Sequence, residues 1–415
     1  MIFAPIRQTV HRTVHYLETA DIPFSHFVLT FFAAATLRNF LEQFVFADST
    51  TERLGMDLTH YYLSYVCLAL AFIILLRIST KGSVERVSRV VLPSFIILNI
   101  VPILDLFFLA KGQRYSLGYM FPGQHDPLWQ RFFSFFGPLG DSGITYGMRT
   151  EIALVLLGCG FYFSLKGLGW GKNLLFCLLT YTVIFAYCAL PYIITFFLGI
   201  FHIQSIFNTK LFTHFYLLLI FLLTGWVAFL CRPGYWGAII KDVRPLRLLH
   251  FEMMFLIGIF LAARFTQNQK LWDQQYFFEI IFTVIAIAMA WIFSVTTNNL
   301  ADLRIDAVSS SQRPTVSGAI PLPHYRLVPW FFFLGAIIYS WVVNFSAFFI
   351  IVVFMSVYFL YSMPPFRLKR IPVFSKFFIV FNSILLLGLG FLLQGGENLQ
   401  LSIPSTFSPA MFFFI

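Results

Sequence analysis

The feature that most constrains this chain is a series of long apolar blocks, each about as long as a helix must be to cross a bilayer. Only 11% of its 415 residues are charged, against about 25% in a soluble domain. Inside a bilayer only α-helices and closed barrels satisfy their own backbone hydrogen bonds. Barrel strands would alternate apolar and polar residues, and these blocks do not. The pattern therefore predicts an all-α, polytopic bundle with spans at about 25–46, 58–76, 89–110, 150–169, 173–200, 211–231, 249–266, 276–297, 327–344, 346–362 and 373–394.

Two further segments flank these eleven predicted spans. Residues 1–20 carry Arg7, Arg12 and two histidines, and they are predicted to form a helix lying at the membrane interface. Residues 411–415 are apolar and look like the opening of a twelfth span. The five cysteines lie in or at the ends of apolar spans without a CxxC pair, which favours packing over metal or redox chemistry.

The net charge of +10 is explained by topology. With the N-terminus in the cytoplasm, the inner segments carry 19 Lys and Arg residues and the outer segments carry 8. Because positive residues concentrate on the cytoplasmic side of membrane proteins, the N-terminus is predicted to be cytoplasmic and the longest loop, 111–149, external. This distribution argues against nucleic acid as a partner and indicates a multi-pass protein of the inner or plasma membrane. Membrane lipids are its expected surroundings, and nothing in the sequence indicates a protein partner.

The composition changes at 232–248, where Pro, Gly and charged residues cluster between apolar blocks. This break separates six predicted spans from the remaining five. We therefore expect an N-terminal membrane domain at 1–240, whose function the sequence does not indicate, and a second domain at 243–415.

The span at 276–297 runs into a polar stretch whose side chains carry oxygen at helical spacing. On a helix with about 100° per residue, four of these side chains fall on one stripe. They are Asn298, Asn299, Asp302 and Asp306. Two carboxylates one turn apart repel each other, whereas Mg²⁺ favours one or two protein carboxylates completed by water and phosphate oxygens. The stripe is therefore a candidate magnesium site at the end of a membrane helix.

Spacing alone leaves a second interpretation open. The acids could lie in a solvated loop, or they could pair with Arg304 and Arg313 a few residues away. Arg304 points away from the stripe and is expected to anchor the helix end at the membrane surface.

Two sequence elements, at 298–318 and 360–370, match a known pattern. The first runs Asn-Asn-x-x-Asp-x-x-x-Asp and then carries Arg-Pro and Ser-Gly pairs in register. The second runs Tyr-Ser-Met-Pro-Pro-Phe-Arg-Leu-Lys-Arg. Both resemble signatures of the UbiA superfamily of intramembrane prenyltransferases, and 243–247 resembles the opening Arg-Pro segment of that family. The resemblance covers about 243–415, or the first half of the family domain.

The chain departs from the family pattern in places. Asn299 stands where the family has its first aspartate, and Ser309 stands where many members have asparagine. The family also carries a second Asp-x-x-x-Asp two helices beyond the second element, and no Asp or Glu follows Glu397 here. We therefore expect the natural chain to continue past Ile415 into that motif, so that 243–415 would be an incomplete domain, inactive alone.

The resemblance implies a ring of transmembrane helices and a Mg²⁺-dependent prenyltransferase. Such an enzyme transfers an isoprenyl group from a polyprenyl diphosphate donor to an aromatic or other lipophilic acceptor. The resemblance implies Asp302, Asp306 and Asn299 as magnesium ligands, with Asn298 completing the catalytic set. The residues that it implies for donor binding are Arg313, Tyr361, Lys369 and Arg370.

Two other functions stay open. Some relatives of this fold transfer a phosphoribosyl group to a polyprenyl phosphate. A non-catalytic lipid-binding or transport protein would instead carry charged residues in several spans. For that function the first half offers only Arg38, Glu42 and Asp105 away from the ends of its spans.

The charge distribution makes a topology prediction that cysteine labelling can test. In a cysteine-free background, single cysteines near Ser310 and Ser375 should be shielded from an impermeant external reagent, because they lie on the predicted cytoplasmic face. A cysteine near Gln124, in the predicted external loop, should be labelled. The reverse pattern would contradict the orientation.

Overall fold

The described part of the chain is entirely helical in its regular structure. In this computed structural model, eleven helices are long and apolar enough to cross a membrane. The all-α prediction and the predicted number of spans are therefore confirmed. The residues described are 3–45, 51–108, 119–123, 127–137, 145–266, 273–310 and 312–395. The twelfth span predicted to open at 411–415 lies outside them.

The chain divides into two compact units, Met1–Arg232 and Pro233–Ile415, and each is described by itself. The helices of the first unit are α1 Phe3–Thr19, α2 Phe24–Val45, α3 Thr51–Thr80, α4 Val84–Ser94, α5 Ile100–Phe108, α6 Leu128–Phe133, α7 Tyr146–Leu165, α8 Trp170–Cys188, α9 Leu190–Ile200 and α10 Thr209–Cys231. A 3₁₀ turn at Phe95–Asn99 joins α4 to α5, and the two form one apolar stretch long enough to span.

The span predicted at 173–200 is interrupted in the structure. α8 ends at Cys188, and the short helix α9 begins at Leu190 with Pro191 in its first turn. A proline inside a helix removes a backbone hydrogen bond, and its ring clashes with the carbonyl four residues earlier. α8 therefore stops before Pro191, although α8 alone is long enough to span.

The segment predicted to be an interfacial helix, 1–20, forms α1 and packs on α4. Near its C-terminal end, Glu18 accepts a hydrogen bond from Lys166 Nζ at 2.6 Å and another from the Tyr162 hydroxyl at 3.0 Å. Both donors lie at the end of α7. α1 is thus fixed to the first unit by polar contacts, and its interfacial position stays a prediction.

Asp105, one of the three charged residues predicted inside the first spans, has a structural role. Its carboxylate is buried and accepts hydrogen bonds from the Thr145 hydroxyl at 2.7 Å and the Gly147 N–H at 2.9 Å. Both donors lie at the start of α7, where backbone N–H groups have no partner within the helix. Asp105 therefore satisfies the end of a neighbouring helix.

The second unit is arranged around one long helix. Its helices are α11 Pro233–Asp242, α12 Pro245–Thr266, α13 Gln274–Ala301, α14 Leu303–Ser309, α15 Leu322–Tyr325, α16 Val328–Val343, α17 Phe345–Ser362 and α18 Pro372–Gly395. α13 packs against α12, α16 and α17 and is the most buried of the candidate spans. It begins after Asp273, whose Oδ1 accepts hydrogen bonds from the N–H groups of Gln275 at 2.8 Å and Tyr276 at 3.1 Å.

α12 and α18 approach each other through glycines. A Cβ added at Gly258 would overlap the carbonyl oxygen of Leu387, and one added at Gly390 would overlap the carbonyl oxygen of Phe255. Small residues allow membrane helices to pack backbone against backbone, where dispersion replaces the missing hydrophobic driving force. Glycine is therefore required at both positions for this pair of helices to pack as it does.

We predict that Gly258→Ala and Gly390→Ala each destabilise the second unit by about 1–3 kcal/mol, the usual range for overpacking. The added methyl group meets backbone atoms, which cannot rotate away. Thermal unfolding of the detergent-solubilised protein measures the effect. Gly388→Ala is the matched control, because a Cβ at that position on the same helix meets no atom within 4 Å. Equal stability of all three variants would contradict the close helix approach.

Candidate functional site

The polar stripe predicted at the end of the 276–297 span is bent in the structure. α13 ends at Ala301, and Asp302 stands between α13 and α14 with φ −99° and ψ 9°. Helical spacing is kept across the bend, since the N–H of Asp302 donates to the carbonyl of Asn298 at 2.9 Å and that of Asp306 donates to Asp302 at 2.8 Å. The side chains nevertheless separate into two groups with different partners.

The first group, which we term the lysine cluster, comprises Asn298, Asp302, Ser362, Arg367 and Lys369. Lys369 Nζ donates to Asn298 Oδ1 at 2.8 Å and also to the Asp302 carboxylate, and Ser362 Oγ donates to Asn298 Oδ1 at 3.1 Å. Arg367 donates to the other carboxylate oxygen of Asp302. The second sequence element therefore contacts the first directly.

The second group, which we term the arginine cluster, comprises Asp242, Asn299, Asp306, Arg313 and Tyr325. The Asn299 amide nitrogen donates to Asp242 and lies 2.9 Å from the Tyr325 hydroxyl, while its oxygen accepts from Arg313. Arg313 Nε lies 3.3 Å from Asp306 Oδ2. Asn299 is fully buried and uses both ends of its amide, so it orients the cluster.

The pKa values of the acids in the two clusters are shifted in opposite directions. Burial raises the pKa of Asp302, but hydrogen bonds and charge from Lys369 and Arg367 outweigh burial and hold it below its ordinary value. Burial raises the pKa of Asp306 above its ordinary value despite the opposing charge of Arg313, and the charge of Asp302 adds to the rise. The pKa of Asp242 is also raised by burial, against the charge of Arg313. Asp302 is thus the most firmly ionised of the three.

Other residues predicted for the site lie apart from the two clusters. The Tyr361 ring packs against the rings of Tyr358 and Phe378, with centroids 6.3 and 6.4 Å away. Arg370 and Arg304 are exposed. For Arg304 this placement agrees with the expectation that it points away from the acids.

Several cluster members were not among the predicted site residues. Arg367 lies within the second sequence element, close to the predicted residues Lys369 and Arg370, and this position is its only sequence signal. It has a left-handed backbone, with φ 44° and ψ 53°, which is uncommon for a residue with a side chain. Asp242 directly precedes the Arg-Pro segment at 243–247, and that adjacency was its only signal. Tyr325 and Ser362 carry no signal, since only packing brings them to the acids.

A cleft opens beside the arginine cluster. It has a volume of about 620 Å³ and is lined by one side of α11 and by the segment that follows α14. Its charged lining residues are Lys241, Asp242, Arg244 and Arg313. A polar cleft with three cations and buried acid oxygens at its edge can accept a small anionic group.

The donor set fits magnesium that arrives with a phosphate ligand. Carboxylate and amide oxygens of Asp302, Asp306 and Asn298 are the hard donors that Mg²⁺ prefers, and the ion normally leaves several positions to water and phosphate. The oxygen of Asn299, which is fully buried and accepts from Arg313, would first have to lose that hydrogen bond. The described residues hold no group of three or more His, Cys, Asp and Glu that would bind a metal alone. Asp306 Oδ2 is buried without a hydrogen bond among the described residues. The cluster can therefore contribute ligands to a magnesium ion that is completed by substrate.

This arrangement defines a membrane protein with paired acids and surplus bases at the end of a helix. Comparison with known families gives its class: residues 253–415 match the model of the UbiA prenyltransferase family. The chain thus carries a UbiA prenyltransferase family domain over 253–415, and the resemblance inferred from the two motifs is confirmed. The match begins within α12 and includes both sequence elements. No curated protein and no solved structure gives a match.

The contacts in the lysine cluster indicate which basic residues of the second sequence element stabilise the fold. Arg367→Gln or Lys369→Gln should lower the unfolding free energy by about 1–3 kcal/mol, because each leaves the buried Asp302 carboxylate with a partner missing. Arg370→Gln is the matched control from the same element, and its side chain is exposed. Thermal unfolding of the three variants tests this. A loss with Arg370→Gln as large as with the other two would contradict the placement of these bases.

Proposed function

We propose that this protein is a membrane prenyltransferase that transfers an isoprenyl group from a polyprenyl diphosphate to an aromatic or other lipophilic acceptor in a Mg²⁺-dependent reaction. The observation that carries the proposal is the convergence of Lys369, Arg367 and Arg313 on acid and amide oxygens at the end of α13. These residues belong to the family domain at 253–415. As part of this proposal, 243–415 belongs to the catalytic domain, 1–240 is a separate membrane domain, and the site faces the cytoplasm.

The charge balance of the two clusters supports binding of a metal diphosphate. In the lysine cluster Lys369 and Arg367 face the single charge of Asp302, which leaves a positive surplus. In the arginine cluster Asp242 and Asp306 face Arg313, and Arg244 of the adjacent cleft also acts on both acids, so the charges balance. A positive surplus beside two acids suits a diphosphate and a divalent cation that are bound together.

The proposed reaction breaks the bond between the first isoprenyl carbon and the diphosphate oxygen. The electron pair leaves with the diphosphate, the allylic carbon is captured by the acceptor, and the acceptor releases a proton. Magnesium, when bound, would neutralise the charge that develops on the leaving group. Lys369 and Arg367 would move from Asp302 onto diphosphate oxygens, and Arg313 can hold two oxygens at once through its planar guanidinium.

The surroundings of the site would protect the reactive carbon. An allylic cation reacts with any water that reaches it, and expelling water also strengthens the electrostatic contacts within a site. The isoprenyl tail is apolar and would occupy the membrane interior, where it needs no polar partners. The role proposed for the helices of the family domain is therefore to hold the tail and to exclude water.

We predict that Asp302→Ala and Asp306→Ala each lower prenyl transfer by at least about a hundredfold, the loss typical of removing one preorganised electrostatic group. Arg304→Ala is the control, because this exposed base lies between the two acids and points away from them. Turnover of geranylgeranyl diphosphate by the full-length protein, with and without EDTA, and binding of the same donor measure the effect. Thermal unfolding shows whether each variant is folded.

Asn299 provides a further test of the proposed function, because the structure changes the result that we expect for Asn299→Asp. Because relatives have aspartate here, the sequence alone suggests that Asn299→Asp is tolerated. The structure places the amide nitrogen of Asn299 against the carboxylate of Asp242, so Asn299→Asp would set two carboxylates in contact. We expect Asn299→Asp to bind the donor more weakly. The double variant Asn299→Asp with Asp242→Asn should bind the donor as well as the unmodified protein does. Metal-independent donor binding, or full activity of Asp302→Ala, would contradict the proposed function.

A further inference from the structure

A cavity inside the first unit is separate from the family domain. It has a volume of about 370 Å³ and is lined by α1, α2, α3, α4, α7 and α8, with Tyr119 also in its wall. This volume lies within the range of about 300–1,000 Å³ in which small-molecule sites are found. Most of its lining residues are apolar, with Phe72, Leu76 and Val155 among them.

The cavity is elongated along α7. Met148 and Tyr162, near the two ends of this helix, both line it, and they are about 21 Å apart at about 1.5 Å per residue. Glu151 lies near the first end, whereas Tyr162 at the second end is bonded to Glu18 of α1. α1 contributes Val10 and other apolar side chains to the wall. One end thus carries Glu151, and at the other end, about 21 Å away, the polar groups Tyr162, Glu18 and Lys166 are bonded to one another. This arrangement suits one extended chain with a polar head at the Glu151 end.

The charged end holds an incompletely satisfied arginine. Arg38 is 8% exposed and lines the cavity. Its Nη2 lies 3.5 Å from Glu42 Oε2, and it is in electrostatic reach of Glu151 and Tyr65. Its Nε has no hydrogen-bond partner among the described residues. A buried hydrogen-bond donor without an acceptor is unfavourable. A ligand oxygen that accepts from Arg38 at this end would therefore stabilise the site.

Neighbouring polar groups are already engaged. The Tyr119 hydroxyl lies 2.9 Å from His60 Nε2 and 2.7 Å from the Tyr216 hydroxyl. The Tyr187 hydroxyl donates to Ser64 at 3.2 Å. Arg38 and Glu151 are therefore the polar groups that could bind a ligand inside the cavity.

The charge count decides the kind of head group. One guanidinium, Arg38, faces two carboxylates, Glu42 and Glu151, so an anionic head would meet no positive surplus. A neutral hydroxyl can accept from Arg38 Nε and donate to Glu151. We infer that the cavity binds a long-chain alcohol, aliphatic or isoprenoid, with its hydroxyl at Arg38 and Glu151 and its chain along α7 towards α1.

The experiment uses the full-length chain in detergent and a hexadecanol probe that carries a diazirine on its chain and an alkyne tag. Photolabelling followed by peptide mapping should place the label on α3 and α7. Unlabelled hexadecanol should compete at least about tenfold better than hexadecane or hexadecanoate, since tenfold corresponds to about 1.4 kcal/mol, the size of one or two hydrogen bonds. Equal competition by hexadecane would reveal an unspecific apolar void, and stronger competition by hexadecanoate would overturn the neutral head.

Matched variants separate binding from folding. Gly158 lines the cavity, and a Cβ there meets no atom within 4 Å, so Gly158→Phe should be accommodated and should abolish labelling. Gly199→Phe, equally unobstructed and outside the cavity wall, should label normally. Glu151→Leu should weaken competition by hexadecanol about tenfold and leave that by hexadecane unchanged. Full labelling of a folded Gly158→Phe would overturn the proposal.

Discussion

A charged side chain in an apolar interior needs a neighbouring protein group that compensates its charge, because no water is present to solvate it. Both units of this chain follow that constraint with different means. In the first unit Arg38 and Glu42 pair within one helix, and Asp105 caps the start of α7. In the second unit Asp302 receives two bases from a segment more than sixty residues further along the chain. Where a buried donor has no hydrogen-bond partner among the described residues, as at Arg38 Nε, the proposed ligand would supply one.

The end of α13 shows how one set of side chains can serve both stability and chemistry. Asp302 needs Lys369 and Arg367 in the free protein, since a buried carboxylate without cations would lose its charge or destabilise the helix end. The same two bases, in excess over the acid, are available to an anionic ligand. The bend at Asp302 matters here, because it gives the lysine cluster and the arginine cluster different partners while only one turn separates their acids. The proposed binding of donor and metal is therefore an exchange of ion-pair partners that are already in place.

The other helices of the second unit associate through close packing, without a hydrophobic driving force between them. Lipid is as apolar as a leucine side chain, so helices associate through close contact. Gly258 and Gly390 allow α12 and α18 to meet along their backbones. In this way α12, which begins at Pro245 within the Arg-Pro segment, is held on α18, which begins at Pro372, two residues after Arg370. Helix packing far from the acids thus supports the loops that carry their partners.

The amino-acid sequence by itself determined the fold class, the number of spans and the family domain. The reason is that about twenty apolar residues in a row permit only a helix in a bilayer, and that the acid and base motifs are local in sequence. Pro191 is a sequence signal for the break between α8 and α9, although the apolar run around it predicts one continuous span. Nothing in the sequence indicates that the acid stripe bends at Asp302. Only the tertiary structure decided that Arg367 and Lys369, and not Arg370, reach Asp302, and that Asp242 and Tyr325 complete the arginine cluster. These contacts join residues far apart in the chain, and distance in sequence carries no information about them until the helices have packed.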